Sequence, residues 1–347
     1  MCFRDRWLGG VVLLGFLLAV LPGWGKAKGG QSLQIYFVDV EGGQATLFVS
    51  PAGQSLLVDT GWPGFDRRDA KRIVAAAKAA RIKKIDYVVI THYHRDHVGG
   101  VPQLEKLMKV GTFVDHGPNL EDSDVTRADY AAYEKVLPHA KHLVVKPGDT
   151  IPFEGVDVRV LTAAGEHVST AMAGESEENA LCAAEPALPE DATENARSVG
   201  LLVTYGSFRV LDLGDLTKKK ELELVCPKNL IGGVDLYIVS HHGLAQSNSR
   251  AMVHAVHPRA AVMDNGARKG GSPEAWQTVH ESPGLEDLWQ LHFSMEGGPE
   301  HNAAESFIAN PEQGAKDRGY WIKVTADWDA TFTVVNARNG SAKTYRK

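Results

Sequence analysis

The run Thr91-His92-Tyr93-His94-Arg95-Asp96-His97 places four metal-ligand side chains within six residues, directly after the apolar stretch 85–91. That stretch, Ile85-Asp86-Tyr87-Val88-Val89-Ile90-Thr91, reads as a strand buried on both faces. Imidazole nitrogens and a carboxylate oxygen are the donors that suit a borderline divalent ion such as zinc. Side chains two apart at a strand end project the same way, so His92 and His94 can reach one ion. Asp96 and His97, in the adjoining turn, can face a second. Gly99-Gly100 then lets the backbone turn sharply into a helix. A polar loop with surface histidines is the plainer alternative, but it has no reason to follow a buried strand.

A paired-metal site needs further ligands, and three other strand ends supply them. Leu213-Gly214-Asp215 ends one strand, so the Asp215 carboxylate can bridge two cations. Val239-Ser240-His241-His242-Gly243 ends another with two adjacent imidazoles. Asp59-Thr60-Gly61 closes a third, where Asp59 can hold a ligand histidine in one tautomer. Each residue alone would pass for a cap or a surface group. Together, in this order, they read as one site.

The 347 residues suffice for one large domain or two ordinary ones. With 44% hydrophobic and 23% charged residues the chain is a globular one. A net charge of −6 lacks the basic footprint of a polyanion binder, so there is no strong nucleic-acid signal. Arg4 and Arg6 precede an apolar run over 7–21, then Pro22-Gly23 and the small residues Gly25 and Ala27. A basic start, a short apolar core and a small-residue exit describe a secretory signal peptide over 1–27, cleaved between 23 and 27. As a membrane anchor the run is short of the about 20 residues a span requires. The expectation is a secreted or periplasmic protein with no stable membrane span after cleavage, and a single domain over 31–347. Cleavage would leave Cys182 and Cys226, which can pair in an oxidising compartment. Their spacing does not say whether they meet.

Strands are expected over 33–38, 45–49, 55–59, 85–91, 112–115, 156–161, 200–205, 208–213, 236–240 and 260–263, with a closing hairpin over 320–336. Helices are expected over 67–81, 101–108, 218–225 and 249–256. Two segments poor in regular signals, 166–194 and 266–313, read as long surface insertions. Strands alternating with helices in each half give two sheets face to face with helices outside, an α/β layered arrangement.

The order Asp59-Thr60-Gly61, His92-x-His94-x-Asp96-His97, Gly214-Asp215, His241-His242-Gly243 resembles the metallo-β-lactamase superfamily. Within it, the hydrolase domain of the DNA-uptake competence protein ComEC and its free-standing relatives are the nearer likeness. Phe37-Val38-Asp39-Val40-Glu41-Gly42-Gly43-Gln44-Ala45 is similar to that branch's opening segment, and His241-His242-Gly243 with Ser247 and Ser249 to its His-His-Gly-Ser segment. The resemblance covers about residues 33–265 and is strongest at the first metal motif. It implies a four-layered αβ/βα sandwich with two divalent ions, zinc or alternatively manganese, at one sheet edge. Carried over by position, His92 and His94 serve the first ion. Asp96, His97 and His242 serve the second, and Asp215 bridges them, with Asp96 and Asp215 as the catalytic carboxylates. Between the two imidazoles of the pair, counting from the strand favours His242 as ligand, with His241 facing substrate.

The chain departs from the family pattern where most members carry a histidine about 20 residues before the bridging aspartate. Glu194-Asn195-Ala196-Arg197-Ser198 stands there instead. His116, at a strand end, is the better replacement candidate as ligand or pocket residue, and His167 or Asn195 the others. The branch's histidine after its last strand is replaced by Ala267-Arg268-Lys269-Gly270-Gly271-Ser272, a cationic loop able to bind a phosphate or carboxylate, or simply a solvated turn. Metal-activated water fits hydrolysis of many esters and amides. The loop and the resemblance favour a phosphodiester or related phosphate ester, in a small molecule or a polymer. A lactonase or β-lactamase and a non-catalytic binding protein of the same fold are the alternatives. The sequence leaves the oligomeric state open.

Overall fold

The computed structural model describes residue 1 and residues 32–172, 176–312 and 317–347. Apart from Met1, the expected signal peptide over 1–27, including Cys2, lies outside the described residues. The first strands are β1 (Leu33–Phe37), β2 (Thr46–Val49), β3 (Ser55–Val58), β4 (Ile85–Val89), β5 (Val110–Asp115) and β6 (Lys141–Val144). The second half contributes β7 (Asp157–Ala163), β8 (Glu166–His167), β9 (Gly200–Tyr205), β10 (Phe208–Asp212), β11 (Leu236–Ile238), β12 (Ala260–Met263), β13 (Asp287–His292) and β14 (Ile308–Asn310). The last three are β15 (Ile322–Ala326), β16 (Phe332–Asn336) and β17 (Ala342–Tyr345). They form a nine-stranded sheet, β17-β16-β15-β1-β2-β3-β4-β5-β6, and an eight-stranded sheet, β14-β13-β12-β11-β10-β9-β7-β8.

Side-chain alternation explains why these sheets stack. In β1, Leu33, Ile35 and Phe37 join Phe208, Val210, Leu236, Ile238 and Val262 of the other sheet in one buried cluster. Tyr36 instead packs with Ile73, Ala76 and Ala77 of the helix Arg68–Ala79. Likewise Leu211, Tyr237, Ala261 and Met263 point away from the first sheet, toward Leu224 and Val225 of Lys218–Val225 and Met252 and Val253 of Arg250–Val256. Period-two strands with both faces apolar can be satisfied only by a layer on each side. The result is the expected helix–sheet–sheet–helix sandwich.

Strands β3 to β6 run parallel, as do β10 to β14. The turns leaving β3, β4, β10 and β11 carry Asp59, His92, Asp215 and the pair His241-His242, so these residues share the strands' carboxyl ends. The two sheets are also joined by polar ties. The Gln44 amide donates to the Asp212 carboxylate at 2.7 Å, and His292 Nε2 lies 2.7 Å from Asp39 Oδ1. Glu41 and Asp317 complete that second cluster, in which Arg72 donates to Asp39 at 2.7 Å and to Asp317 at 2.5 Å. A guanidinium already neutralising two carboxylates makes it a structural weld.

Two expectations need correction. The segment 266–313 is not an irregular surface insertion: it holds the helix Pro273–His280 and strands β13 and β14, with Trp289 and Leu291 buried in the central core. Asp287-Leu288-Trp289-Gln290-Leu291-His292 mixes polar and apolar residues without a clean alternation, because Gln290 and His292 are buried too, Gln290 bonded to Asn302 and His292 Nε2 to Asp39. The helix expected over 101–108 stops after Val101–Leu104. The helix Asp124–Glu134, which buries Thr126, Asp129 and Tyr133, was not anticipated, although Ser123 accepts from the Thr126 amide as an N-cap residue would.

Cys182 and Cys226 are joined in a disulfide across 44 positions, tying the 166–194 segment to the end of the helix Lys218–Val225. Closing a loop of that size restricts the unfolded chain by up to about 4 kcal/mol in the chain-entropy account. The double variant Cys182→Ser/Cys226→Ser should therefore unfold at clearly lower urea concentration. Coincident urea curves for the variant and the parent would show that the bond does not stabilise the fold.

Candidate metal centre

Asp59 sits at the end of β3 with a left-handed backbone, φ 59°. That conformation turns its carboxylate to three partners. Oδ1 accepts from the Thr91 amide at 2.8 Å, Oδ2 accepts from the Thr91 hydroxyl at 2.6 Å, and Oδ2 lies 2.7 Å from His97 Nδ1. The next turn is pulled tight by Gly100, where any Cβ would strike the Thr60 carbonyl. His241 and His242 are held in the same unusual region, φ 55° and 54°. Left-handed conformation costs a non-glycine residue about 1–2 kcal/mol and is found where function demands it.

Four ligand atoms, from Asp96, His97, Asp215 and His242, all lie within 4.8 Å of one another, and all four residues are buried. His97 Nε2 is 3.1 Å from Asp215 Oδ2 and 3.3 Å from Asp96 Oδ2. His242 Nε2 is 3.2 Å from Asp96 Oδ2 and 3.4 Å from Asp215 Oδ1. His92 approaches the same carboxylate, its Nε2 3.8 Å from Asp215 Oδ2. Its ring centroid lies 4.7 Å from that of His94. His241 Nε2 is 3.4 Å from Asp215 Oδ2. Asp215 is thus the one carboxylate that all but His94 share.

Each imidazole has one nitrogen held from behind. Nδ1 of His92 meets the Thr91 hydroxyl at 3.0 Å, Nδ1 of His97 meets Asp59, Nδ1 of His242 meets Asp264 at 3.2 Å, and Nδ1 of His241 meets Ser247 at 3.2 Å. His94 is reversed: its Nε2 lies 3.0 Å from Glu121, which leaves Nδ1 for an ion. This is how metal-binding histidines are oriented, with the rear nitrogen fixing the tautomer. His92 Nε2 and Asp215 Oδ1 are buried without a hydrogen-bond partner. Buried polar atoms rarely stay unpaired, so the donor set fits a divalent ion.

Charge is arranged accordingly. Burial would raise the carboxyls of Asp96 and Asp215, but Lys269 and His97 around the first, and His241, His97 and His242 around the second, outweigh it and hold both well below the usual range. Burial would likewise strip His97 and His242 of protons. Asp215, Asp96 and Asp59 instead hold His97 well above its ordinary value, and Asp215 with Asp264 brings His242 to about 10. Burial dominates at His92, pushed well down, and at His241, lowered to about 4. An ion can be held only by neutral imidazoles, so its uptake by His97 and His242 must release protons and weaken as pH falls.

His116 is not among these groups. Its Nε2 lies 3.0 Å from Glu194 Oε2, the Glu194 amide donates to Glu121 Oε2 at 2.7 Å, and Glu121 reaches His94. His116 therefore stands behind His94, two carboxylates removed. His167 Nδ1 lies 3.5 Å from Glu223, and Asn195 keeps a buried, unpartnered Oδ1. Sequence reasoning missed Glu121, Glu194 as a partner, Asp264, and the contact of Lys269 with Asp96. Asp264 comes directly after β12, so the strand-end rule would have found it; Glu121 lies in an irregular loop that offered no signal. The 266–272 loop is also no solvated turn. Gly271 and Ser272 amides donate to the His242 and Gly243 carbonyls at 2.9 Å, and the Lys269 ammonium contacts the Asp96 carboxylate.

Residues 38–178 match the metallo-beta-lactamase superfamily. Over 225 residues the chain is 26% identical to competence protein ComA of Neisseria gonorrhoeae, covering 64% of this chain and 25% of that one. It is 24% identical over 259 residues to recombination protein 2 of Haemophilus influenzae, covering 74% and 27%. A shorter match, 34% over 124 residues, is to ribonuclease Z of Methanopyrus kandleri, covering 35% and 39%. The chain spans about a quarter of the length of the two former relatives. The matched segment carries Asp59, His92, His94, Asp96 and His97 and ends before Asp215 and His242; over residues 38–178 the chain is thus similar to the metallo-beta-lactamase superfamily, and over a longer stretch to competence-protein-like members.

Proposed function

We propose that this chain is an exported hydrolase that uses two divalent ions, zinc or manganese, to cleave a phosphodiester or related phosphate ester. The observation that carries the reading is Asp215, whose Oδ2 is approached by His92 and His97 and whose Oδ1 is approached by His242. Paired ions held there supply a water of near-neutral pKa and a Lewis acid for the ester oxygen. His92 and His94 would hold the first, and Asp96, His97 and His242 the second, with Asp215 between. Thr91, Asp59, Asp264 and Glu121 keep the imidazoles aimed. His241, beside Asp215 and used by neither ion, is the imidazole assigned to substrate. Lys269 at the edge of the cluster supports an anionic ester, as does a relative named for ribonuclease activity. Export is supported by the basic-apolar-small order of residues 1–27 and by a disulfide, which persists in oxidising compartments.

The test is a panel of chromogenic substrates, a phosphodiester, a phosphocholine ester, a lactone and a cephalosporin, assayed with Zn²⁺ and Mn²⁺. The phosphodiester or phosphocholine ester should turn over, stop with chelator and resume with either ion. Faster lactone or cephalosporin cleavage would replace this reading with acyl transfer chemistry. Neither turnover nor retained metal after growth in zinc would make the chain a binding protein. N-terminal sequencing of periplasmic material beginning at Met1 would remove the export proposal.

A further inference from the structure

The Lys269 ammonium touches Asp96 Oδ2, the same oxygen that lies 3.2 Å from His242 Nε2 and 3.3 Å from His97 Nε2. A cation therefore already occupies the outer side of the second ligand set. Its placement is built rather than incidental. Gly266 donates to the Lys269 carbonyl at 2.8 Å, Gly271 to His242 at 2.9 Å and Ser272 to Gly243 at 2.9 Å. The Ser294 hydroxyl lies 2.9 Å from the carbonyls of both Gly270 and Gly271. Gly270, φ 86°, has no room for a Cβ beside the His242 carbonyl. The loop is thus fastened to the very turn that presents His242.

The ammonium contacts the Asp96 carboxylate and stands over the Trp62 ring, whose centroid is 5.2 Å away. Lys269 keeps 30% of its side chain exposed, so its flexible stem has solvent to move into. An aromatic face is a second seat for an ammonium, within the about 6 Å such contacts span.

We propose that Lys269 is a resident competitor for Asp96: a divalent ion at the second position must displace its ammonium, and the displaced ammonium then holds an anionic oxygen of the substrate. This rests on the paired-ion reading of the site. Two like charges a few ångströms apart in a buried site repel strongly, so the lysine weakens the second ion. The same repulsion, acting on the mobile partner, moves the ammonium off Asp96. The competition gives the site a cation positioned for a phosphoryl oxygen only once the ion is bound.

The test uses the full chain and its variants Lys269→Gln and Lys269→Arg, stripped of metal and titrated with Zn²⁺ by calorimetry. Inorganic phosphate is then titrated into the zinc-loaded proteins. Lys269→Gln should bind the second ion about 10-fold more tightly, the size of effect groups near a metal exert, and should bind phosphate several-fold more weakly. Lys269→Arg should resemble the parent in both. Opposite shifts cannot come from a misfolded variant, which would lose affinity for both ligands. Two ions bound with second-ion affinity unchanged or weakened in Lys269→Gln, or phosphate affinity unaffected, overturns the competition alone. Fewer than two ions in every protein overturns the paired-ion reading and this inference with it. One ion in the parent and two in Lys269→Gln supports the inference in its strongest form.

Discussion

Asp215→Ala is expected to lower hydrolysis by at least about 10³-fold, because the several kcal/mol an ion pair contributes at the reacting oxygen translate to that factor. Asp215 is the shared carboxylate of the cluster, 3.1 Å from His97, 3.4 Å from His242 and from His241, and 3.8 Å from His92. Without it two cations would face one another with no anion between them. Bound metal, measured by elemental analysis, should therefore fall along with the rate. Asp215→Asn should retain more of the fold yet lose the same charge. Retained metal stoichiometry with normal turnover would reduce Asp215 to a strand-end residue.

For His116→Ala the expected loss is in stability, not in metal. Glu194 is wholly buried; burial would raise its carboxyl, and the bond to His116 outweighs that and lowers it. Removing the imidazole leaves a buried carboxylate with the Leu120 amide at 3.1 Å, the Tyr93 amide at 3.4 Å and the Arg197 charge for support. Leaving a buried carboxylate short of a hydrogen-bond donor costs about 1–3 kcal/mol, more when the group is charged. Thermal unfolding should show a clear drop while the number of zinc ions per chain stays constant. Loss of one ion with little change in stability would instead place His116 in the first ion's shell and refute its position behind His94. His116→Gln, which can still donate to Glu194, should recover part of the stability.

The strands that were foreseen are those whose apolar residues alternate or run unbroken and whose ends carry turn residues, such as β4 and β11. Their side chains meet neighbours of one kind, so local order was enough. Strand β13 was missed because its buried Gln290 and His292 look like surface residues until Asn302 and Asp39 are brought to them. Cys182 and Cys226 illustrate the same limit: spacing allowed a bond, but only the packing of the 166–194 segment on the helix Lys218–Val225 brought the sulfurs together.

By itself, the amino-acid order determined a layered α/β arrangement, which the family resemblance sharpened to the four-layered sandwich, and the strand ends that carry Asp59, His92, His94, Asp96, His97, Asp215, His241 and His242. Strand periodicity and the residues just past each strand are local properties, and neighbouring parallel strands present their carboxyl-terminal turns at one edge. Which nitrogen each histidine offers was decided only in three dimensions, by Thr91, Asp59, Asp264, Ser247 and Glu121. So was the partner of His116, and so was the contact of Lys269 with Asp96 across 173 positions of chain. A ring nitrogen's role depends on the charge and hydrogen bonds reaching it from other strands. Those arrive through the packing of two sheets, which no spacing within one of them encodes.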